Sequence, residues 1–221
     1  MSEEPTPVTA AHFRYLAERT TPEDEFLKKL RVAAANAEIP AISIGPAQAA
    51  FIQILLRAAK AKHVVEVGTL AGYSAIAMAR ALPADGKVLT IEIDPKHAAF
   101  ARKWIAKSDV AGKVAVHLGK GIDVLKTIPD RSADACFLDA DKGSYRAYLD
   151  ECLRILRPNG VVMADNAFAF GQLLDENPTD RDVPAVRAFN DYVPTVKGLA
   201  SVIVPLGDGL WVGVLRPPAP L

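Results

Sequence analysis

From residue 63 onward, short apolar runs alternate with stretches of helical period, and this alternation restricts the chain to one class of fold. His63-Val64-Val65-Glu66-Val67 is rich in β-branched residues and ends at Gly68. Lys87–Ile93, Val114–His117, Ala135–Asp139 and Gly160–Ala164 are further runs of strand length. Helical stretches lie between them, over about residues 73–82, 95–107 and 144–157, with a shorter piece before residue 135. Strands and helices in this order specify βαβ units, and so a parallel sheet with right-handed crossovers. The last two runs, Leu199–Pro205 and Leu210–Leu215, are joined by Leu206-Gly207-Asp208-Gly209, a Gly/Asp-rich hairpin connection. The expectation is an α/β fold with a mostly parallel seven-stranded sheet that closes on an antiparallel pair.

Before residue 63 the pattern is helical from about Val8 to Lys60. Thr21-Pro22-Glu23-Asp24 predicts a helix start, with Thr21 as N-cap, Pro22 in the first helical position and acids in the first turn. Phe26, Leu27, Leu30 and Ala34 follow at helical spacing, and Ile39-Pro40 ends the run. Gly45-Pro46 opens the next helix, whose stripe is Phe51, Ile52, Leu55 and Leu56. Residues 1–60 are thus expected to form a helical cap on a core spanning 61–221, within a single domain. Residues 1–7 read as frayed and the Pro-rich 217–220 as a tail. The polar stretch from Asn166 to about Val183 either folds over a substrate or is a plain surface loop.

Charge and composition exclude several functions. Lys and Arg number 26 against 26 Asp and Glu, with no basic stripe, so a nucleic-acid footprint is absent. No apolar run reaches the roughly 20 residues that span a bilayer. The acidic Met1-Ser2-Glu3-Glu4-Pro5 is no secretory signal, which predicts a cytoplasmic protein without a membrane partner. Cys136 falls in a core strand and Cys152 on a helix, with no zinc-type spacing, and His12, His63, His97 and His117 are scattered.

The chemistry-bearing residues sit where strands end. One apolar run closes on Asp139-Ala140-Asp141-Lys142, another on Asp165-Asn166. In an open parallel sheet those ends face one crevice. Asp139, Asp165 and Asn166 can therefore share one hard divalent cation, with Lys142 beside it as a candidate base. The residues alone also allow plainer roles: a surface lysine opening a helix, and a capping turn at Asp165-Asn166. The first strand-to-helix turn, Glu66-Val67-Gly68-Thr69-Leu70-Ala71-Gly72-Tyr73-Ser74, spaces its glycines as G-x-x-x-G rather than G-x-G-x-x-G, against a dinucleotide. Glu92 ends the second strand, where an acid can accept from ribose hydroxyls. Turn and acid together point to an adenosine-bearing ligand.

Taken as an ordered set, Glu66–Ser74, Glu92-Ile93-Asp94, Asp139-Ala140-Asp141-Lys142, Asp165-Asn166 and Pro205-Leu206-Gly207-Asp208-Gly209 resemble the cation-dependent, class I S-adenosylmethionine O-methyltransferases of the caffeoyl-CoA and catechol type. The resemblance runs from about residue 40 to the end. It implies a Rossmann-like doubly wound sheet with helices on both faces, extra N-terminal helices and a homodimer. It implies that Ile44, Glu66, Gly68, Thr69, Ser74, Glu92, Gly121 and Asp141 contact S-adenosylmethionine. It further implies that Asp139, Asp165 and Asn166 hold Mg²⁺, Ca²⁺ or Mn²⁺, and that Lys142 with Asp139 carries the catalysis. The implied reaction methylates one hydroxyl of a small vicinal-diol phenol. Phe170 stands where the plant members carry a substrate-binding Asn, which points away from a coenzyme A ester. Phe168 and Phe170 form an aromatic wall for a smaller ring, or simply pack the loop. Two other classes remain beside this one: an NAD-dependent oxidoreductase and a non-catalytic adenosyl-ligand binder.

Overall fold

The structure is a computed structural model that describes residues 7–217. The expectations for the first six residues, and for the tail beyond 217, lie outside the described residues. Three helices come first: α1 (Ala10–Ala17), α2 (Glu25–Asn36) and α3 (Pro46–Ala58). Then β1 (His63–Val67), α4 (Tyr73–Ala81), β2 (Lys87–Glu92), α5 (Pro95–Ile105), β3 (Val114–Leu118) and α6 (Gly121–Leu125) follow. The rest is β4 (Ala133–Leu138), α7 (Tyr145–Ile155), β5 (Leu156–Ala164), α8 (Val183–Tyr192), β6 (Leu199–Val204) and β7 (Leu210–Leu215). The seven strands form one sheet in the order β3-β2-β1-β4-β5-β7-β6. All pairs from β3 to β5 are parallel, and β7 joins β5 and β6 antiparallel. The expected mostly parallel sheet with its antiparallel end is therefore what forms.

The strand period of two sorts the core onto both faces. Val64, Val88, Phe137 and Met163 pack with Leu30, Ile52, Leu56, Ile76 and Ile105 from α2 to α5. Val65, Val67, Cys136, Leu138 and Val162 pack with Tyr145, Leu149, Cys152 and Phe189 from α7 and α8. Leu30, Ile52 and Leu56 have no solvent exposure, and each such burial stabilises by roughly 1.5–3 kcal/mol. The N-terminal helices thus share a hydrophobic cluster with the sheet. Both cysteines are buried and free. No helix among the described residues is long and apolar enough to cross a membrane.

Two local expectations are corrected. The second helix starts at Glu25, with Asp24 as its N-cap, rather than at Pro22 after Thr21. The Asp24 carboxylate accepts from the backbone N–H groups of Phe26 and Leu27 at 2.9 and 3.1 Å. Glu23, expected in the first turn, instead turns inward: Arg31 grips it with two hydrogen bonds of 2.7 and 2.6 Å, and the Tyr73 hydroxyl donates to it at 2.9 Å. The Arg31 pair holds the Glu23 carboxyl below its ordinary value. The second correction is α8, which the sequence reading left unassigned after the polar stretch. Val183, Val186 and Phe189 form its buried stripe, with Pro184 in the first turn. Replacing Asp24 by Ala should cost about 1 kcal/mol through the lost cap, read as a lower midpoint in urea with an unchanged slope.

Candidate active site

The carboxyl ends of β1, β2 and β4 open on a cavity of about 510 Å³. Seven of the eight expected cofactor residues line it: Ile44, Gly68, Thr69, Ser74, Glu92, Gly121 and Asp141. Asp139 lines it too. Gly68 is indispensable to its shape. Its φ is +104°, and a Cβ there would lie 1.9 Å from the Asp139 carbonyl oxygen, so the β1 turn can cross the end of β4 only without a side chain. At Gly121 a Cβ would meet Val67 at 2.6 Å and the Tyr148 ring at 2.9 Å. There α6 begins directly on the cavity floor.

Glu92 closes one end. Its two oxygens accept from the backbone N–H groups of Leu70 and Asp94 at 2.8 and 2.9 Å. A carboxylate has about four acceptor positions, so lone pairs remain for hydroxyl donors. Asp141 accepts from the Tyr148 hydroxyl at 2.6 Å; burial, and then this bond, push the Tyr148 phenol up to about 12. Glu66 differs from the other seven. It lies behind the cavity wall with 0% exposure, and neither carboxyl oxygen has a hydrogen-bond partner. Burial pushes it up to about 8, opposed by the nearby Ser74 and Thr90 hydroxyls. The Thr90 hydroxyl is itself engaged with that of Thr69 at 2.6 Å.

Beside this cavity stand the acids of β4 and β5. Leu138 pairs with Ala164 in register, so the next residues, Asp139 and Asp165, leave neighbouring strands at one level, about 5 Å apart by strand spacing. Burial pushes the Asp139 carboxyl up to about 6, Lys142 opposes the rise and the charge of Asp165 adds to it. Asp165 is raised as well, chiefly by burial, with a hydrogen bond from Gln48 opposing. That bond runs from Gln48 Nε2 to Asp165 Oδ1 at 2.5 Å and comes from α3. Asn166, in left-handed conformation at φ 65°, donates through Nδ2 to Asp208 at 3.1 Å.

Lys142 is 7% exposed, so it is no surface lysine. It opens a short 3₁₀ turn, Lys142–Ser144, ahead of α7. Its ammonium donates to the Tyr145 hydroxyl at 2.6 Å and to Asp139 Oδ1 at 3.3 Å. The Tyr145 hydroxyl in turn donates a hydrogen bond to the Leu138 carbonyl oxygen at 3.1 Å. The Lys142 contact engages one oxygen of Asp139, Oδ1. Asp165, Asn166 and Lys142 are not on the cavity wall and lie next to it, past Asp139. Among the described residues no three His, Cys, Asp or Glu side chains converge as metal ligands; the donor set here is two carboxylates and an amide.

A model of the O-methyltransferase family matches residues 17–215. The chain belongs to that family. A catechol O-methyltransferase of Niastella koreensis is 42% identical over 80% of this chain and 81% of its own length. A catechol O-methyltransferase of Mycobacterium tuberculosis is 34% identical over 96% of each chain. Among solved structures, an O-methyltransferase from Bacillus cereus in complex with SAH superposes with a TM-score of 0.83, at 30% identity, covering 93% of this chain and 97% of that one. Membership makes this chain a methyl-transferring enzyme and sets aside the oxidoreductase alternative.

In this O-methyltransferase, four polar residues beside the expected ones were not assigned roles from the sequence: Gln48, Tyr145, Tyr148 and Asp208. Tyr145 and Tyr148, three residues apart, mark one buried face of α7. Gln48 and Asp208 reach the site across 117 and 42 residues of chain, which no local pattern announces. Two outcomes are expected here. Gly68→Ala should abolish calorimetric binding of S-adenosylhomocysteine and lower the melting temperature. Glu66 favours its protonated form in the fold, so its contribution to stability is complete below the ordinary carboxyl value and is lost as pH rises through about 8. Urea titrations at pH 5 and pH 9 should show wild type losing more stability across this window than Glu66→Gln.

Proposed function

We propose that the chain is a cytoplasmic, S-adenosylmethionine-dependent and divalent-metal-dependent O-methyltransferase that methylates one hydroxyl of a catechol-like vicinal diol. The observation that carries the reading is the pair of acids, half-buried Asp139 and buried Asp165, side by side at adjacent strand ends and bordering the cavity. Two such carboxyls raise each other and are most readily ionised together with a cation between them. The amide of Asn166, whose nitrogen is turned to Asp208, leaves its carbonyl oxygen as the third donor. Two carboxylates and one amide oxygen suit Mg²⁺, Ca²⁺ or Mn²⁺ and leave positions for two vicinal oxygens. The catechol names of the relatives support that acceptor class.

When bound, S-adenosylmethionine supplies a methyl group on a sulfonium, and the divalent cation supplies positive charge that lowers the pKa of the acceptor hydroxyl. The chain does the rest. Glu92 accepts from ribose hydroxyls, while Gly68, Thr69, Ser74 and Asp141 shape the rest of the cavity wall. Glu66 offers two unpartnered oxygens beneath the turn. The Lys142 Nζ, once deprotonated, takes the proton from the acceptor hydroxyl, and Tyr145 fixes where that nitrogen stands. The strand-end geometry brings acceptor and methyl donor together, which is the main source of rate. The exposed Phe13, Tyr15 and Leu16 of α1, a helix without buried residues, support the homodimer that the resemblance implies.

A panel of phenols incubated with S-adenosylmethionine and Mg²⁺ tests the reading. Vicinal diols should give a single methyl ether each, chelator should abolish turnover, and added Mg²⁺ should restore it. The Asp139→Ala/Asp165→Ala double variant should be inactive while still binding S-adenosylhomocysteine. Full activity in chelator would reject the metal. Cofactor binding without turnover of any diol would make the chain a binder instead.

A further inference from the structure

Resting on the metal reading above, we infer that Asp208 is a positioning residue: from the β6–β7 hairpin it sets which way the Asn166 amide faces, and so makes Asn166 an oxygen donor to the cation. A side-chain amide carries a donor end and an acceptor end of nearly equal shape, and only its partners decide which end points where. Asn166 Nδ2 lies 3.1 Å from Asp208 Oδ2. A carboxylate accepts and cannot donate, so it holds the nitrogen and turns the oxygen of Asn166 the other way. An amide turned around would offer N–H groups to the cation and could not ligate it.

The same carboxylate also fixes the backbone that carries Asn166. Its Oδ2 accepts from Phe170 N at 2.8 Å, and its Oδ1 from Gly171 N at 3.2 Å. The Asp208 carbonyl accepts from Phe168 N at 2.8 Å, and the Gly209 carbonyl from Ala167 N at 2.9 Å. This corner needs fixing, because Asn166, Ala169 and Phe170 all have φ between 53° and 65°, a region unfavourable to residues with side chains. From the other side Asn190 Nδ2 donates to the Ala167 carbonyl at 2.8 Å, and Trp211 Nε1 holds the Asn190 oxygen at 2.6 Å. The segment is thus fastened at both edges, and among the described residues Asp208 is the one group that hydrogen-bonds both its backbone and the Asn166 side chain. Asp208 is not itself on the wall of the main cavity.

The test titrates Mn²⁺ into the full chain, by calorimetry and by electron paramagnetic resonance, with S-adenosylhomocysteine affinity as the check on folding. Asp208→Ala is made in the wild-type and in the Asn166→Ala background. If it does not bind S-adenosylhomocysteine, Asp208→Ser replaces it, since a short hydroxyl can satisfy a loop N–H without spanning to the amide. Expected is a loss of Mn²⁺ affinity of about tenfold or more in the wild-type background. No further loss should follow once Asn166 is absent, because the effect travels through that side chain. Asp208→Asn, which keeps an acceptor oxygen, should recover most of the affinity. Mn²⁺ affinity within twofold of wild type in Asp208→Ala overturns the inference and leaves the metal site standing. An equal loss in both backgrounds also overturns it, since Asp208 would then act by charge alone. Wild-type protein that takes up no Mn²⁺ overturns the metal reading, and this inference with it.

Discussion

The register between β4 and β5 is the constraint on which the active site depends. Pairing Leu138 with Ala164 commits the next two residues to one level of one crevice, and both are acids. Asp165 is buried and Asp139 half-buried, burial raises both, the charge of Asp165 raises Asp139 further, and each is steadied by a neighbour, Lys142 three residues on for Asp139 and Gln48 from α3 for Asp165. A slip of one residue would turn one carboxylate to the opposite face of the sheet. The apolar strands that precede these acids prevent it. Cys136 and Leu138 fill one side of the sheet and Phe137 the other, so the core that stabilises the fold also aims the site.

The cavity beside those acids is built by close backbone approach. Gly68 lets the first turn pass over the carbonyl of Asp139, and Gly121 brings α6 against Val67 and Tyr148. Polar side chains then finish the walls: Glu92 braced on two N–H groups, Asp141 on a tyrosine, and Glu66 buried behind with nothing to bond. An unpartnered buried carboxyl is costly. Its place at the end of β1, directly before the turn that lines the cavity, underlies its proposed role as a cofactor contact.

The sheet was legible because strand and helix periods differ and β1, β3, β4 and β5 are each followed at once by Gly or Asp. The strand-end acids were legible for the same reason. Asp24 took over the cap expected of Thr21 because Glu23, one residue before it, is drawn to Arg31 and Tyr73, contacts distant in sequence. The helix α8 was hidden behind a polar stretch rich in turn-forming residues, although Val183, Val186 and Phe189 carry its period. Asp208 sits in the closing motif that carries the resemblance, but its contact, like that of Gln48, was beyond reach for a different reason. Each acts on one atom of a residue from a remote element, and a single polar side chain has no periodicity to reveal it.

The hydrogen bond from Gln48 to Asp165 has a consequence for how far the chain can be shortened. It is the contact by which the helices ahead of the sheet enter the polar centre, and it sits beside the shared cluster of Leu30, Ile52 and Leu56. Cutting those helices away would uncover apolar surface and, in the same stroke, strip a carboxylate of its donor. The leading helices are therefore no detachable appendage: a minimal catalytic fragment of this enzyme has to begin before α3.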